Sequence, residues 1–198
     1  YLIILLDATA TSFCHYGNRS DSRKLISIED LKAGIFFAMK ENLMIQFVYP
    51  DYKLPGEYKE VINTIDHSDI VSCRCEDKAL HEKADVVVVN DWADLESLHY
   101  ANETAYVLRT TKSDLFDNYA LIKPMLNQVK RLNVVVTDVD EFTEEDFARY
   151  QNVLSSLSEE VERLYAEGKS PQLNLLTDRM VLDKMNNCNA GWENITLA

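Results

Sequence analysis

The sequence predicts an α/β chain built on a mainly parallel sheet, and three observations carry that expectation. Short β-rich runs recur between stretches of helical periodicity. Two of the runs, Val86-Val87-Val88-Val89 and Val134-Val135-Val136, are continuously apolar rather than alternating, as in strands covered on both faces. Helix-opening signals, Ser27-Ile28-Glu29-Asp30 and Thr143-Glu144-Glu145-Asp146, place acids where the helix dipole favours them. Six βα units suit an incomplete barrel of the (β/α)6 kind; periodicity alone leaves a doubly wound open sheet as the alternative.

The six expected strands are Tyr1 to Leu6, Met44 to Tyr49, Asp69 to Cys73, Asp85 to Val89, Thr104 to Leu108 and Leu132 to Thr137. The helix opened at Ser27 carries Leu31, Ile35, Phe36 and Met39 on one stripe and ends at Asn42. Pro55 introduces a helix with Tyr58, Val61, Ile62 and Ile65, since proline suits a first turn. Ser113-Asp114 begins another, and Pro124 bends or divides the run that continues through Met125, Val129 and Leu132. The longest helix repeats Phe147, Tyr150, Val153, Leu154, Leu157, Val161 and Leu164 until Gly168 stops it. After Ser170-Pro171, a shorter helix is expected over Leu173, Leu176, Met180, Val181 and Met185.

At 198 residues and 46% hydrophobic content, the chain is able to bury a substantial core. Its net charge of −13 argues against a nucleic-acid partner, because reading a phosphate backbone needs clustered Lys and Arg. The acids from Glu141 to Glu167 read as a solvated helix face. No apolar run approaches a membrane span, so no membrane association is expected. Cys14, Cys73, Cys75 and Cys188 are scattered without a disulfide framework, which points to a reducing cytoplasm. Cys73-Arg74-Cys75 reads as small residues at a strand end rather than as a metal motif.

In parallel α/β folds, function gathers beyond the C-terminal strand ends. The first polar residues there are Asp7, Asp51, Asn90 with Asp91, Arg109 with Thr110, and Asp138 with Asp140. Asp7, Asp51, Asp91, Arg109 and Asp138, with Trp92 as an apolar wall, form a candidate peptide-binding mouth through charge-assisted hydrogen bonds. Such residues also cap the helices that follow strands, which is the competing structural role. His15, His67, His81 and His99 lack metal-ligand spacing, and Cys14 next to His15 makes a poor nucleophile pair. No glycine-rich phosphate loop follows the first strand.

The segment Cys188-Asn189-Ala190-Gly191, leading into a strand, resembles the opening of a SPASM module, the iron–sulfur extension of many peptide-modifying radical-SAM enzymes. With it, Tyr1-Leu2-Ile3-Ile4-Leu5-Leu6-Asp7, Ser12-Phe13-Cys14-His15-Tyr16, Asp30-Leu31-Lys32-Ala33-Gly34-Ile35 and Gln46-Phe47-Val48-Tyr49-Pro50 resemble the CXXX repeat peptide maturase group. That resemblance implies a partial barrel of radical-SAM type over 1–186 and the beginning of a truncated SPASM-like module over 187–198. Radical-SAM chemistry needs Cys-x-x-x-Cys-x-x-Cys, yet Asn18 and Asp21 stand where the second and third cysteines would follow Cys14. The implied function is therefore that of a pseudo-radical-SAM component of a ribosomal-peptide modification system. It would bind or help to modify a cysteine-repeat precursor peptide beside a radical-SAM partner enzyme, with catalysis by this chain itself left open. No cofactor is expected in this stretch, and an auxiliary [4Fe–4S] cluster with Cys188 as one ligand is expected in the complete protein. The alternatives are a metal-assisted hydrolase using Asp7, Asp91 and Asp138, and a non-catalytic interaction domain.

Overall fold

In the computed structural model, which describes residues 1–15, 17, 20–101, 103–175 and 195–197, the chain is α/β and its strands pair in parallel. Eight strands lie among the described residues: β1 (Leu2–Leu5), β2 (Ile45–Val48), β3 (His67–Ser72), β4 (Val86–Val89), β5 (Ala105–Thr110), β6 (Arg131–Val136), β7 (Gln172–Asn174) and β8 (Ile195–Leu197). Six helices accompany them: α1 (Ile28–Lys40), α2 (Gly56–Ile62), α3 (Lys78–His81), α4 (Lys112–Asn118), α5 (Ile122–Leu126) and α6 (Glu144–Ala166). All six expected strands are present, with ends displaced by no more than two residues. No described helix is long and apolar enough to cross a membrane.

The described residues fall into two compact units, the first holding 1–12, 17, 20–87 and 195–197, the second 13–15, 88–101 and 103–175. In the first, the strand order is β3-β2-β1-β8, with Leu2 opposite Ile45 on one side and opposite Ile195 on the other. Leu2, Ile3 and Ile4 are all buried, so β1 is covered on both faces. Ser27 caps α1 by accepting from the Asp30 amide at 3.0 Å. Asn42, in the left-handed region at φ 52°, ends the turn beyond it.

The apolar stripe of α1 differs from the expected one. Leu31, Gly34, Ile35 and Ala38 are buried, whereas Phe36 and Met39 are 69% and 62% exposed. At 100° per residue, Phe36 lies about 140° round the helix from Leu31, beyond the face that meets the sheet. Gly34 matters for that contact, because a Cβ there would stand 2.7 Å from Leu197 Cδ2 on β8 and 3.4 Å from Ile4 Cδ1 on β1. Ile65 is also not in α2, which ends at Ile62; it lies in the turn before β3, where its carbonyl accepts from His67.

In the second unit, which takes Val88 and Val89 of β4, the order is β4-β5-β6-β7. Ala105 to Thr110 align with Arg131 to Val136, and Tyr106, Leu108, Leu132, Val134 and Val136 are buried. The α4 cap is Thr111 rather than Ser113: its hydroxyl accepts from the Asp114 amide at 3.2 Å. Pro124 falls in the first turn of α5, where a missing amide hydrogen costs no intrahelical bond, and a short 3-10 turn at Tyr119–Leu121 separates α4 from α5.

Thr143 and Asp146 form a reciprocal capping box at the start of α6. Backbone bonding from Thr143, then the Lys112 ammonium at 2.9 Å, pull the Asp146 carboxyl down to about 2. Tyr150, Val153, Leu157 and Leu164 form the buried stripe, Phe147 is half exposed, and Gly168 at φ 81° closes the helix end. The helix expected from Leu173 is not found there: Leu173 lies in β7, paired with Leu132 of β6. Pro171 restricts the preceding residue to extended backbone, and β6 supplies the ladder. The remaining expected positions of that helix, the 186/187 boundary and Cys188 lie outside the described residues.

Candidate functional site

The strand ends of the first unit place Asp7 directly after β1. It is 2% exposed and accepts hydrogen bonds from the Thr9 amide at 2.8 Å, the Thr9 hydroxyl and the Tyr52 hydroxyl at 3.0 Å. Burial pushes the Asp7 carboxyl up, but the Thr9 and Tyr52 bonds outweigh it and hold the group below its ordinary value. The same environment, burial first and Asp7 second, pushes the Tyr52 hydroxyl up to about 12. The Arg23 guanidinium lies 4.3 Å from the centre of the Tyr52 ring. Asp51 is exposed, and its main-chain carbonyl accepts from the Glu76 amide at 2.6 Å.

Beyond β2, Tyr49 is buried, and burial together with the nearby Asp69 carboxylate drives its hydroxyl far above the ordinary phenol range. Asp69 on β3 also faces His67 Nε2 at 3.4 Å, while His67 Nδ1 stands 2.7 Å from the Ile65 carbonyl oxygen. Bonding to Asp69 raises the His67 pKa above its ordinary value against an opposing effect of burial. His67 is therefore expected to titrate above about 6.5 in an NMR pH series, with Asp69→Asn lowering that midpoint. A raised folded-state pKa contributes stability below the unfolded value that is lost as pH rises through the folded one. A midpoint unchanged by Asp69→Asn would dissociate the shift from this pair. Cys73 and Arg74 lie in the turn after β3 rather than on it, and burial pushes the Cys75 thiol up.

The second unit draws more of the expected residues together. Arg109, half-buried on β5, donates from Nε to the Cys14 carbonyl at 2.7 Å and from Nη1 to Asn90 Oδ1 at 2.8 Å. His15 is buried, with Nδ1 3.1 Å from the Val136 carbonyl oxygen at the end of β6. The Cys14-His15 segment is thus held at the ends of β5 and β6 by two side-chain-to-main-chain contacts. Trp92 donates from its indole nitrogen to Thr110 Oγ1 at 2.9 Å.

Two candidate carboxylates accept from main-chain amides. Asp91 caps a 3-10 turn over Trp92–Ser97 by accepting from the Ala93 amide at 3.0 Å. Asp138 accepts from the Lys112 amide at 2.8 Å. Asp7 and Asp51 belong to the first unit, and Asp91, Trp92, Arg109 and Asp138 to the second.

The Asn90–Arg109–Cys14 link was not legible as a unit in the sequence. Arg109 and Cys14 are 95 residues apart, and the acceptor is a main-chain oxygen that side-chain chemistry does not announce. The available signal was positional: Asn90 and Arg109 close successive apolar runs. Among the described residues, no group of three or more His, Cys, Asp or Glu side chains could hold a metal ion. Comparison with family models, with curated proteins and with solved structures finds no match.

Proposed function

We propose that the chain is a peptide-binding component of a ribosomal-peptide modification system, acting on a cysteine-repeat precursor beside a radical-SAM partner enzyme. The observation that carries this reading is the arrangement at the ends of β4, β5 and β6, where Arg109 ties Asn90 to the Cys14 carbonyl. A fixed guanidinium, an amide side chain and an indole supply the charge-assisted and apolar contacts suited to a peptide. The consecutive runs β1-β2-β3 and β4-β5-β6-β7, all in parallel βα succession, also support the partial-barrel reading.

The described residues do not fit a cluster that cleaves S-adenosylmethionine. The loop after β1 offers Cys14 alone, with Asn18 and Asp21 at the other two sequence spacings. Binding and positioning are accordingly the roles assigned to this chain, and no reaction step is routed through such a cluster.

A synthetic peptide with four Cys-x-x-x repeats provides the test. In the Trp192→Phe variant of the full chain, Trp92 is the sole tryptophan, and its emission should change saturably at micromolar peptide. A serine-for-cysteine peptide should bind at least tenfold more weakly. Equal binding of both peptides, or of neither, would overturn the cysteine-repeat reading.

A further inference from the structure

Arg109 differs from the other well-placed cations in what surrounds it. Lys59 pairs with Asp77, Lys112 with Asp146, Lys130 with Glu103, and Arg163 with Glu160 and Glu167. Arg109 instead bonds to two uncharged oxygens, the Cys14 carbonyl and Asn90 Oδ1, and no carboxylate among the described residues pairs with it. This occurs in a chain with 33 acidic and 20 basic residues, where a carboxylate partner is the cheapest one to supply. Burial lowers the Arg109 pKa, with Cys14 opposing the shift.

Two of the Arg109 donors are engaged. A guanidinium has five N–H donors in one plane. One bond from Nε and one from Nη1 fix that plane between β4 and the Cys14 segment. Both hydrogens on Nη2 and one on Nη1 remain, donors of the kind that meet carboxylate oxygens.

We propose that the remaining Nη donors of Arg109 form a carboxylate-binding subsite, and that the carboxylate belongs to the bound peptide. This deepens the peptide-binding reading and rests on it for the source of the ligand. Asn90 and the Cys14 carbonyl act as positioning groups, holding the fork in place before the ligand arrives. The carboxylate adds two charge-assisted bonds at a site already ordered, which reduces the entropy lost on binding. A terminal carboxylate and an Asp or Glu side chain offer the same chemistry, and the two sources separate experimentally.

The first probe is N-acetylglycine, with N-acetylglycinamide as its uncharged counterpart, titrated into the full chain while the Arg109 side-chain 15N resonances are followed. The acid should shift the Nε and Nη signals saturably, and the amide should bind at least tenfold more weakly. Equal shifts, or none, would overturn the subsite. Arg109→Gln should abolish the response, and Arg109→Lys should retain charge but lose most of the affinity. If Arg109→Gln fails to fold, the wild-type acid-versus-amide comparison still decides.

The cysteine-repeat peptide is then compared as free acid, C-terminal amide and an Asp/Glu-to-Asn/Gln form. Loss with the amide assigns the terminal carboxylate, and loss with the neutralised side chains assigns those. N-acetylglycine binding without peptide binding would uphold the subsite and overturn the peptide as its source. Peptide binding indifferent to all three forms and to Arg109→Gln would uphold the peptide reading and overturn the subsite.

Discussion

Phe47→Ala is expected to destabilise the first unit by about 3–5 kcal/mol, the range for truncating a large buried aromatic. Phe47 is 0% exposed at the centre of β2, opposite Ile4 of β1 and Asp69 of β3. Its ring meets the His67 ring edge-on, with centroids 5.1 Å apart and planes at 70°. Removing it leaves a void between strands whose hydrogen bonds prevent their closing over it, so loss of transfer energy and loss of contact add. Against a typical domain stability of about 5–15 kcal/mol, the cost is a large share. Phe36→Ala supplies the matched control, because Phe36 is 69% exposed on α1 and should cost within about 0.5 kcal/mol. Urea unfolding midpoints of the two variants decide the matter. A Phe47→Ala loss below about 1.5 kcal/mol, or equal losses in both, would mean that β2 is not packed as described.

The contrast between these phenylalanines shows where sequence was sufficient. Continuous valine runs and β-branched alternation located β4 and β6 because strand burial is written into neighbouring residues. On α1, Phe36 and Met39 are as apolar as Leu31 and Ile35, and hydropathy did not reveal that the small residues Gly34 and Ala38 are buried and that Gly34 carries the close contact. That choice depends on Leu197 and Ile4, which meet the helix only in the fold. β7 was missed for a related reason: Gln172–Asn174 has three residues, too few for a period, and it is a strand because β6 offers backbone partners.

Legibility of the candidate site follows the same line. Strand-end position identified Asp7, Asp91, Arg109 and Asp138, since each follows or closes an apolar run. It could not separate roles, because a capping carboxylate and a ligand-binding one are the same residue type. The structure gives each its hydrogen-bond partners. Asp91 accepts from the Ala93 amide of its own turn, Asp138 from the Lys112 amide 26 residues away at the start of α4, and Arg109 is tied to the Cys14 carbonyl 95 residues away. Composition carried no information about that link, and a chain so acidic drew attention to carboxylates rather than to the cation among them.

Asp7→Ala should cost about 3 kcal/mol and remove a specific part of the stability–pH curve. The buried carboxylate accepts from the Thr9 amide, the Thr9 hydroxyl and the Tyr52 hydroxyl; alanine leaves those donors without it and opens a small void. Asp7→Asn keeps the shape and one oxygen, so its cost should be smaller. The pH sign follows from the direction of the shift, since hydrogen bonding outweighs burial and the folded-state pKa lies below the unfolded one. The contribution is fully present above the unfolded value, about 3.9, and is lost as pH falls through the folded value. Wild-type urea midpoints should therefore decline below about pH 4 more steeply than those of Asp7→Asn, the curves converging in acid. A double-mutant cycle with Tyr52→Phe should give a coupling of about 1 kcal/mol or more near neutral pH that shrinks in acid. Parallel curves for wild type and Asp7→Asn would show that Asp7 fills space without holding its charge, and would remove the electrostatic account of the strand end that β1 presents.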